Sequence, residues 1–253
     1  MNKTKFLVNK RIYNVINQYV YHPNTKDELT NIIVDHFTVG EYDLNDIDVS
    51  NITDMQDLFF NIIDEFPNIE NFDVSKWNVS NVTNMSCMFL NCEKFNCNIN
   101  NWNVSNVRNM RYMFCNCNKF NQPLDNWNVS KVENMNSMFY DSNAFNQNID
   151  CWDVSNVKEM SDMFANCYEY NQPLNSWNVK NVTNISKMFG SCFKFDQPLD
   201  NWDVGNVKNM IETFMYCKKF NQNLDSWNVS NVYAMQAIFY GCNSLNHTPV
   251  WFK

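Results

Sequence analysis

The sequence predicts an α/β repeat solenoid, a right-handed coil of 25-residue units. It places a parallel β-sheet on one face, short 3-10 or α-helical arcs on the other, and a helical cap at the N-terminus. Three observations carry this prediction. Trp77, Trp102, Trp127, Trp152, Trp177, Trp202 and Trp227 recur at a strict period of 25. Other apolar columns keep the same register, and the first 46 residues show helical spacing without any repeat. Periods of this length belong to architectures that stack one supersecondary unit on the next.

With Trp as position zero, Val holds position two from Val79 to Val229 and position five from Val82 to Val232. Positions eight and eleven are mostly Met, and position twelve is Phe from Phe89 to Phe239. Position fifteen is Cys or Ser, position eighteen aromatic or Leu, and position twenty-two Leu or Ile. An earlier copy, Asp48 to Met55 with Phe59, lies thirty residues upstream and carries an insertion around Glu65 to Asn71. A final copy runs to Trp251, one residue short of register. The organisation expected is a cap over residues 1–46 and a solenoid of about eight repeats over 47–253.

Each unit reads in two halves. Leu124-x-x-Trp127-x-Val129 alternates, which predicts a short strand pointing Trp and Val to one side. Val132, Met135, Met138, Ser142 and Phe145 then step by threes and fours, the spacing of a 3-10 or short α-helical return. Gln122-Pro123, Gln172-Pro173 and Gln197-Pro198 pre-set an extended entry into the strand. Only four Gly serve 253 residues, so Asn is expected to supply the left-handed turn positions. One unit alone buries too little to offset the ordering of its backbone, so neighbours must share columns and strand hydrogen bonds.

In the cap, Leu7, Val8, Ile12, Val15, Ile16 and Tyr19 keep helical spacing until Pro23-Asn24. Thr25-x-x-Glu28 reads as a capping box for a second helix, with Leu29, Ile32, Ile33 and Phe37 inward and Gly40 at its end. At the other terminus, Val250-Trp251-Phe252 either folds over the last coil or meets a partner, and Trp251 and Phe252 mark that edge for self-association.

A net charge of −8 argues against a nucleic-acid binder and against attachment to an anionic membrane. Phe6-Leu7-Val8 is too short for a signal-peptide core, no lipobox is visible, and no stretch reaches the length of a membrane span. A cytoplasmic location is expected.

The run from Trp77 to Asn96 (Trp-x-Val-Ser-Asn-Val-Thr-Asn-Met-Ser-x-Met-Phe-x-x-Cys-x-x-Phe-Asn) resembles the BspA-type leucine-rich repeats, also described as a repeat domain of unknown function in mycoplasma-like surface lipoproteins. The match extends over roughly residues 47–250. The resemblance implies a leucine-rich-repeat-like solenoid with a parallel sheet on one face. It also implies roles in adhesion or protein–protein contact, in bacteria, protists and large DNA viruses. The missing export signal favours an intracellular or virus-encoded member, acting in the host cell or the virion, and the family supplies no catalytic residues.

Several columns could carry chemistry. Cys92, Cys117, Cys167, Cys192, Cys217 and Cys242 share one column with Ser142, which favours a small buried residue over disulfides or zinc. Strict spacing makes the Met and Trp columns core, not a soft-metal box or a carbohydrate platform. His22, His36 and His247 have no recurring nucleophile beside them. Asp125, Asp150, Asp200 and Asp225 fit hydrogen bonding to turn backbone better than a calcium ladder, and Lys94, Lys119, Lys194 and Lys219 fit a solvated face. The sequons Asn78-Val79-Ser80 and Asn181-Val182-Thr183 are by-products of the repeat unless the chain is secreted. No catalytic centre, metal or cofactor is predicted.

The expected function is therefore a non-enzymatic scaffold or protein-interaction module, with a surface or virion-associated adhesion protein as the alternative. Sequence variation concentrates on the arcs, where Tyr112, Tyr140, Tyr168, Phe193, Tyr216, Tyr233 and Tyr240 lie. Aromatics there either contact a protein partner or pack between coils.

Overall fold

The computed structural model describes residues 19–66, 69 and 71–252. The first predicted helix lies outside these residues except for Tyr19. The second is present as α1, Lys26–Thr38. Thr25 caps it by accepting from the Glu28 amide at 3.2 Å, and the Glu28 carboxylate reaches back to the Asn24 amide at 2.7 Å. Leu29, Ile33 and Phe37 are buried along one face, and Gly40 ends the helix at φ 76. Phe37 meets Phe66 and Phe72 with ring centroids 5.6 and 5.7 Å apart, which seats α1 on the first coils. A second, four-residue helix, α2 (Phe60–Ile63), sits just before the predicted insertion.

From there the chain is a stack of 25-residue coils, and the expected parallel β-sheet is absent. Among the described residues strand-type pairing between neighbouring coils is confined to isolated parallel bridges, Asp54↔Asn84, Asn84↔Asn109 and onward to Asn209↔Ala234. These fall at position seven, not in the segment around Trp. That segment does alternate inward and outward: Trp127 and Val129 are buried and Asn128 is exposed. Its amides, however, are used within the coil. Trp127 N–H donates to Leu124 O, Val132 N–H to Val129 O, and Ser130 N–H to the Asn128 side chain. Turns and Asx bonds take the donors that a ladder needs, so no strand forms.

The arc is not a helix either. Positions ten and fourteen hold left-handed residues in coil after coil, for example Tyr112 at φ 56 and Asn116 at φ 60. Each interrupts any helical run. The amides of positions eight to fifteen are nonetheless used in the inner coils. Those of positions eleven, thirteen and fifteen close i→i+3 turns, as in Met113→Met110, Cys115→Tyr112 and Cys117→Phe114. Those of positions eight, ten, twelve and fourteen point to the following coil: Met110→Asn134, Tyr112→Asn136, Phe114→Met138 and Asn116→Tyr140. The amide of position nine is taken by the position-seven side chain, as Arg111 by Asn109. From position eight to position fifteen the arc amides of the inner coils thus find acceptors without regular secondary structure.

Asn fills the second left-handed position at Asn91, Asn116 and Asn166, as expected. The first is taken instead by Asp57, Cys87, Tyr112, Ser137, Asp162, Lys187, Glu212 and Ala237. Inside, the aromatic columns stack. Successive Phe rings at position twelve lie 5.3–5.8 Å apart, as Phe59–Phe89 and Phe214–Phe239. Trp202 and Trp227 lie 6.3 Å apart at an interplanar angle of 1°. The Trp column is core, and each indole N–H is satisfied: Trp152 donates to Leu124 O at 2.9 Å and Trp177 to Ile149 O at 3.1 Å. Trp251 folds back and extends the column, donating to Leu224 O and stacking 6.2 Å from Trp227. Phe252 packs edge-on against Phe239.

Candidate interaction surface

The thiol column is built into the stack. Cys167 donates Sγ–H to Phe139 O at 2.9 Å, Cys192 to Phe164 O at 3.0 Å and Cys217 to Phe189 O at 2.8 Å. Ser142 makes the same bond to Phe114 O with its hydroxyl. Cys and Ser in this column thus both set an X–H donor against a Phe carbonyl of the preceding coil, as Cys117, Cys167, Cys192, Cys217, Cys242 and Ser142 do. All ten Cys are free thiols. Burial pushes Cys117, Cys192 and Cys217 well above the ordinary thiol range, and Cys87 and Cys242 up to about 11. A reactive thiolate needs the opposite environment.

The other candidates are likewise occupied. Asp150 accepts from the Ser176 amide and Asp225 from the Val250 amide, the turn bonding expected of that column. Asp125 and Asp200 accept from the side chains of Asn100 and Asn175. Each His faces an Asp: His22 with Asp48, His36 with Asp46, and His247 with Asp225. Among the described residues no group of three or more His, Cys, Asp or Glu is placed to hold a metal ion. An open groove of about 660 Å³ lies between coils beside Pro123, Asp125 and Asp150, and a similar one of about 410 Å³ beside Pro198, Asp200 and Asp225.

The arc aromatics divide into two groups. Tyr112 and Tyr140 are half-buried. The Arg111 guanidinium lies 4.8 Å from the Tyr112 ring, and burial with the nearby Asp141 raises the Tyr140 phenol. Tyr168 and Phe193, also half-buried, stack on each other at 4.7 Å. Exposure concentrates in the last coils, with Tyr216 at 40%, Tyr240 at 61% and Tyr233 at 77%. Tyr216 meets Tyr240 edge-on at 5.4 Å and lies over Gly241, where a Cβ would come within 2.4 Å of its ring. Among the described residues no ring contact joins Tyr112, Tyr140 or Tyr233 to the others.

Sequence reading missed Lys218, whose Nζ lies 4.1 Å above the Phe193 ring on the face away from Tyr168's coil. The signal was present, because Tyr168, Phe193 and Lys218 all fall at position sixteen.

Column register, coil-to-coil amide bonds and shared aromatic stacks define a 25-residue-repeat protein. A family model described as "Mycoplasma protein of unknown function, DUF285" matches residues 28–152 and 141–251, and the chain belongs to that family. No curated protein and no solved structure gives a match. Among the described residues no helix is long and apolar enough to cross a membrane.

Proposed function

We propose that the chain is a non-enzymatic repeat module, akin to the BspA-type repeats, that binds another protein through the arc of its C-terminal coils and acts in the cytoplasm. One observation carries the reading. The aromatic columns are buried through the body of the stack, whereas Tyr216, Tyr233 and Tyr240 stand out in its last coils. Large aromatics of this kind are the residues that anchor protein interfaces. The non-enzymatic part is supported by the use of the repeat's polar groups, since indoles, thiols and Asn amides are committed to bonds within the stack. The compartment is supported by the use of the thiol column, where Cys117, Cys167, Cys192 and Cys217 each donate to a backbone carbonyl, a role that a reducing environment preserves.

The test replaces Tyr216, Tyr233 and Tyr240 together by Ser and compares proteins retained from the native cell by the two baits, using mass spectrometry. A protein held by the wild type and lost from the variant, with the melting curve unchanged, is expected. Identical retention by both baits refutes the reading.

A further inference from the structure

We propose that the arc of the coils running from Trp152 to Trp251 docks an acidic polypeptide segment, one with Asp or Glu carboxylates flanking an aromatic or apolar side chain. This rests on the reading of the arc as a partner surface and names the chemistry of the partner. Six residues form the surface: Tyr168, Phe193, Tyr216, Lys218, Lys219 and Tyr240. Contacts tie five of them into two groups, Tyr168 on Phe193 with Lys218 over Phe193, and Tyr216 against Tyr240. Lys219 follows Lys218 directly, and both are exposed.

The charge balance decides the partner's sign. On this stretch of arc Glu169 is used by Lys194 and Glu212 by Lys187 at 3.5 Å, Glu159 accepts from Ser161 and Asn184, and Asp162 lies two coils before Lys218. Among the described residues Lys218 and Lys219 have no carboxylate partner, so two cations stand uncompensated on a chain of net charge −8. The Asp column that supplies much of the negative charge lies outside the patch, along the two grooves. A carboxylate arriving here meets an ammonium that ring contact already holds in place, so little side-chain freedom is lost on binding. Tyr216, two residues before Lys218, is packed on Gly241 and against Tyr240 and offers an apolar platform beside the lysines in the chain.

A nucleic acid fits less well. Its affinity grows with the number of phosphates neutralised, and this surface offers two free lysines with Glu169 and Glu212 close by. A second copy of the chain carries the same excess of negative charge, and its long-range repulsion opposes approach.

The experiment uses the full chain and four fluorescent probes: twelve-residue peptides rich in Glu and Tyr, in Gln and Tyr, and in Lys and Tyr, and a twelve-nucleotide oligothymidylate. Fluorescence anisotropy should show the Glu–Tyr peptide bound most tightly, with affinity falling as salt rises. Lys218→Gln with Lys219→Gln should weaken it about tenfold and flatten the salt dependence. Lys158→Gln, which removes a cation from the Arg108–Glu133–Lys158 ion ladder at position six and outside the six residues of the surface, should leave it unchanged. Equal or tighter binding of the oligothymidylate or the Lys–Tyr peptide overturns the proposal, as does an equal loss in Lys158→Gln. If the Gln–Tyr peptide binds as well and only Tyr216→Ser or Tyr240→Ser releases it, the acidic partner is wrong and the arc reading stands. If no probe responds to any arc substitution, both fall.

Discussion

Replacing Cys192 tests whether its column is chosen for size or for its donor. Cys192 is fully buried and donates Sγ–H to Phe164 O at 3.0 Å. Cys192→Ala removes one buried heavy atom, worth about 0.8 kcal/mol by transfer, and one hydrogen bond, worth about 0.5–1.5 kcal/mol. The expected loss is about 1.5–2 kcal/mol, or roughly 3–8 °C in melting temperature for a chain of this size. Cys192→Ser keeps the donor and should lose less. At the natural exception, Ser142→Cys should be close to neutral, whereas Ser142→Ala should lose about 1–3 kcal/mol with two hydrogen bonds of about 0.5–1.5 kcal/mol each, the Cys117 amide and Phe114 O staying paired with each other. Two bonds are at stake there, because Ser142 donates to Phe114 O and also accepts from the Cys117 amide at 3.2 Å. Urea unfolding followed by circular dichroism, with an unchanged denaturant slope, measures these differences. If Ser142→Ala and Cys192→Ala unfold at the wild-type midpoint, the donor contributes nothing and the column selects volume alone.

Three further outcomes are expected. In the native state, iodoacetamide should modify the exposed Cys151 first and leave Cys117, Cys167, Cys192 and Cys217 untouched until the chain unfolds, as peptide mapping would show. Stability should fall as pH rises above about 9, the ordinary thiol value: the unfolded chain releases thiol protons there, while the folded chain holds those of Cys87 and Cys242 up to about 11. Urea midpoints measured from pH 8 to pH 10.5 check the sign, and a flat profile contradicts it. Gly241→Ala should destabilise by about 1–2 kcal/mol from its left-handed φ of 77 alone. In thermal melts, adding Tyr216→Ala should recover only the part due to the ring contact.

The columns were legible because burial repeats with the coil. Trp127, Val129, Met135, Phe139 and Phe145 could be assigned to the core from spacing alone. Thr25-x-x-Glu28 and Gly40 likewise marked both ends of α1 correctly. What spacing could not reveal was where the amides go. Alternation around Trp127 orients side chains in the same way whether the backbone pairs with a neighbour or turns on itself, and Asn128 tips it toward turning. Nor did residue type disclose the left-handed positions. Tyr112, Ser137 and Lys187 adopt them because coil-to-coil bonds on either side dictate the backbone, not because those residues favour it. In the candidate surface, the aromatics could be listed from sequence, but which were covered depended on neighbours one coil away, as Lys218 is to Phe193.

The arc amides have a consequence for the stack as a whole. In the arcs from Met85 to Tyr216 four N–H groups point toward the higher-numbered coil, and the carbonyls that accept them point back. Few backbone-to-backbone bonds run the other way, such as Arg108 N–H to Thr83 O and Lys119 N–H to Glu93 O. The peptide dipoles of the arcs therefore add along the stacking axis, much as they do along an α-helix, although almost no helix is present. The end nearest α1 is the carbonyl, electronegative end. A cation already sits there: Lys26 reaches out of the first turn of α1 to Gln56 O at 3.2 Å. The molecule is in this sense a dipole as thick as its coils, with one pole covered by α1 and a lysine.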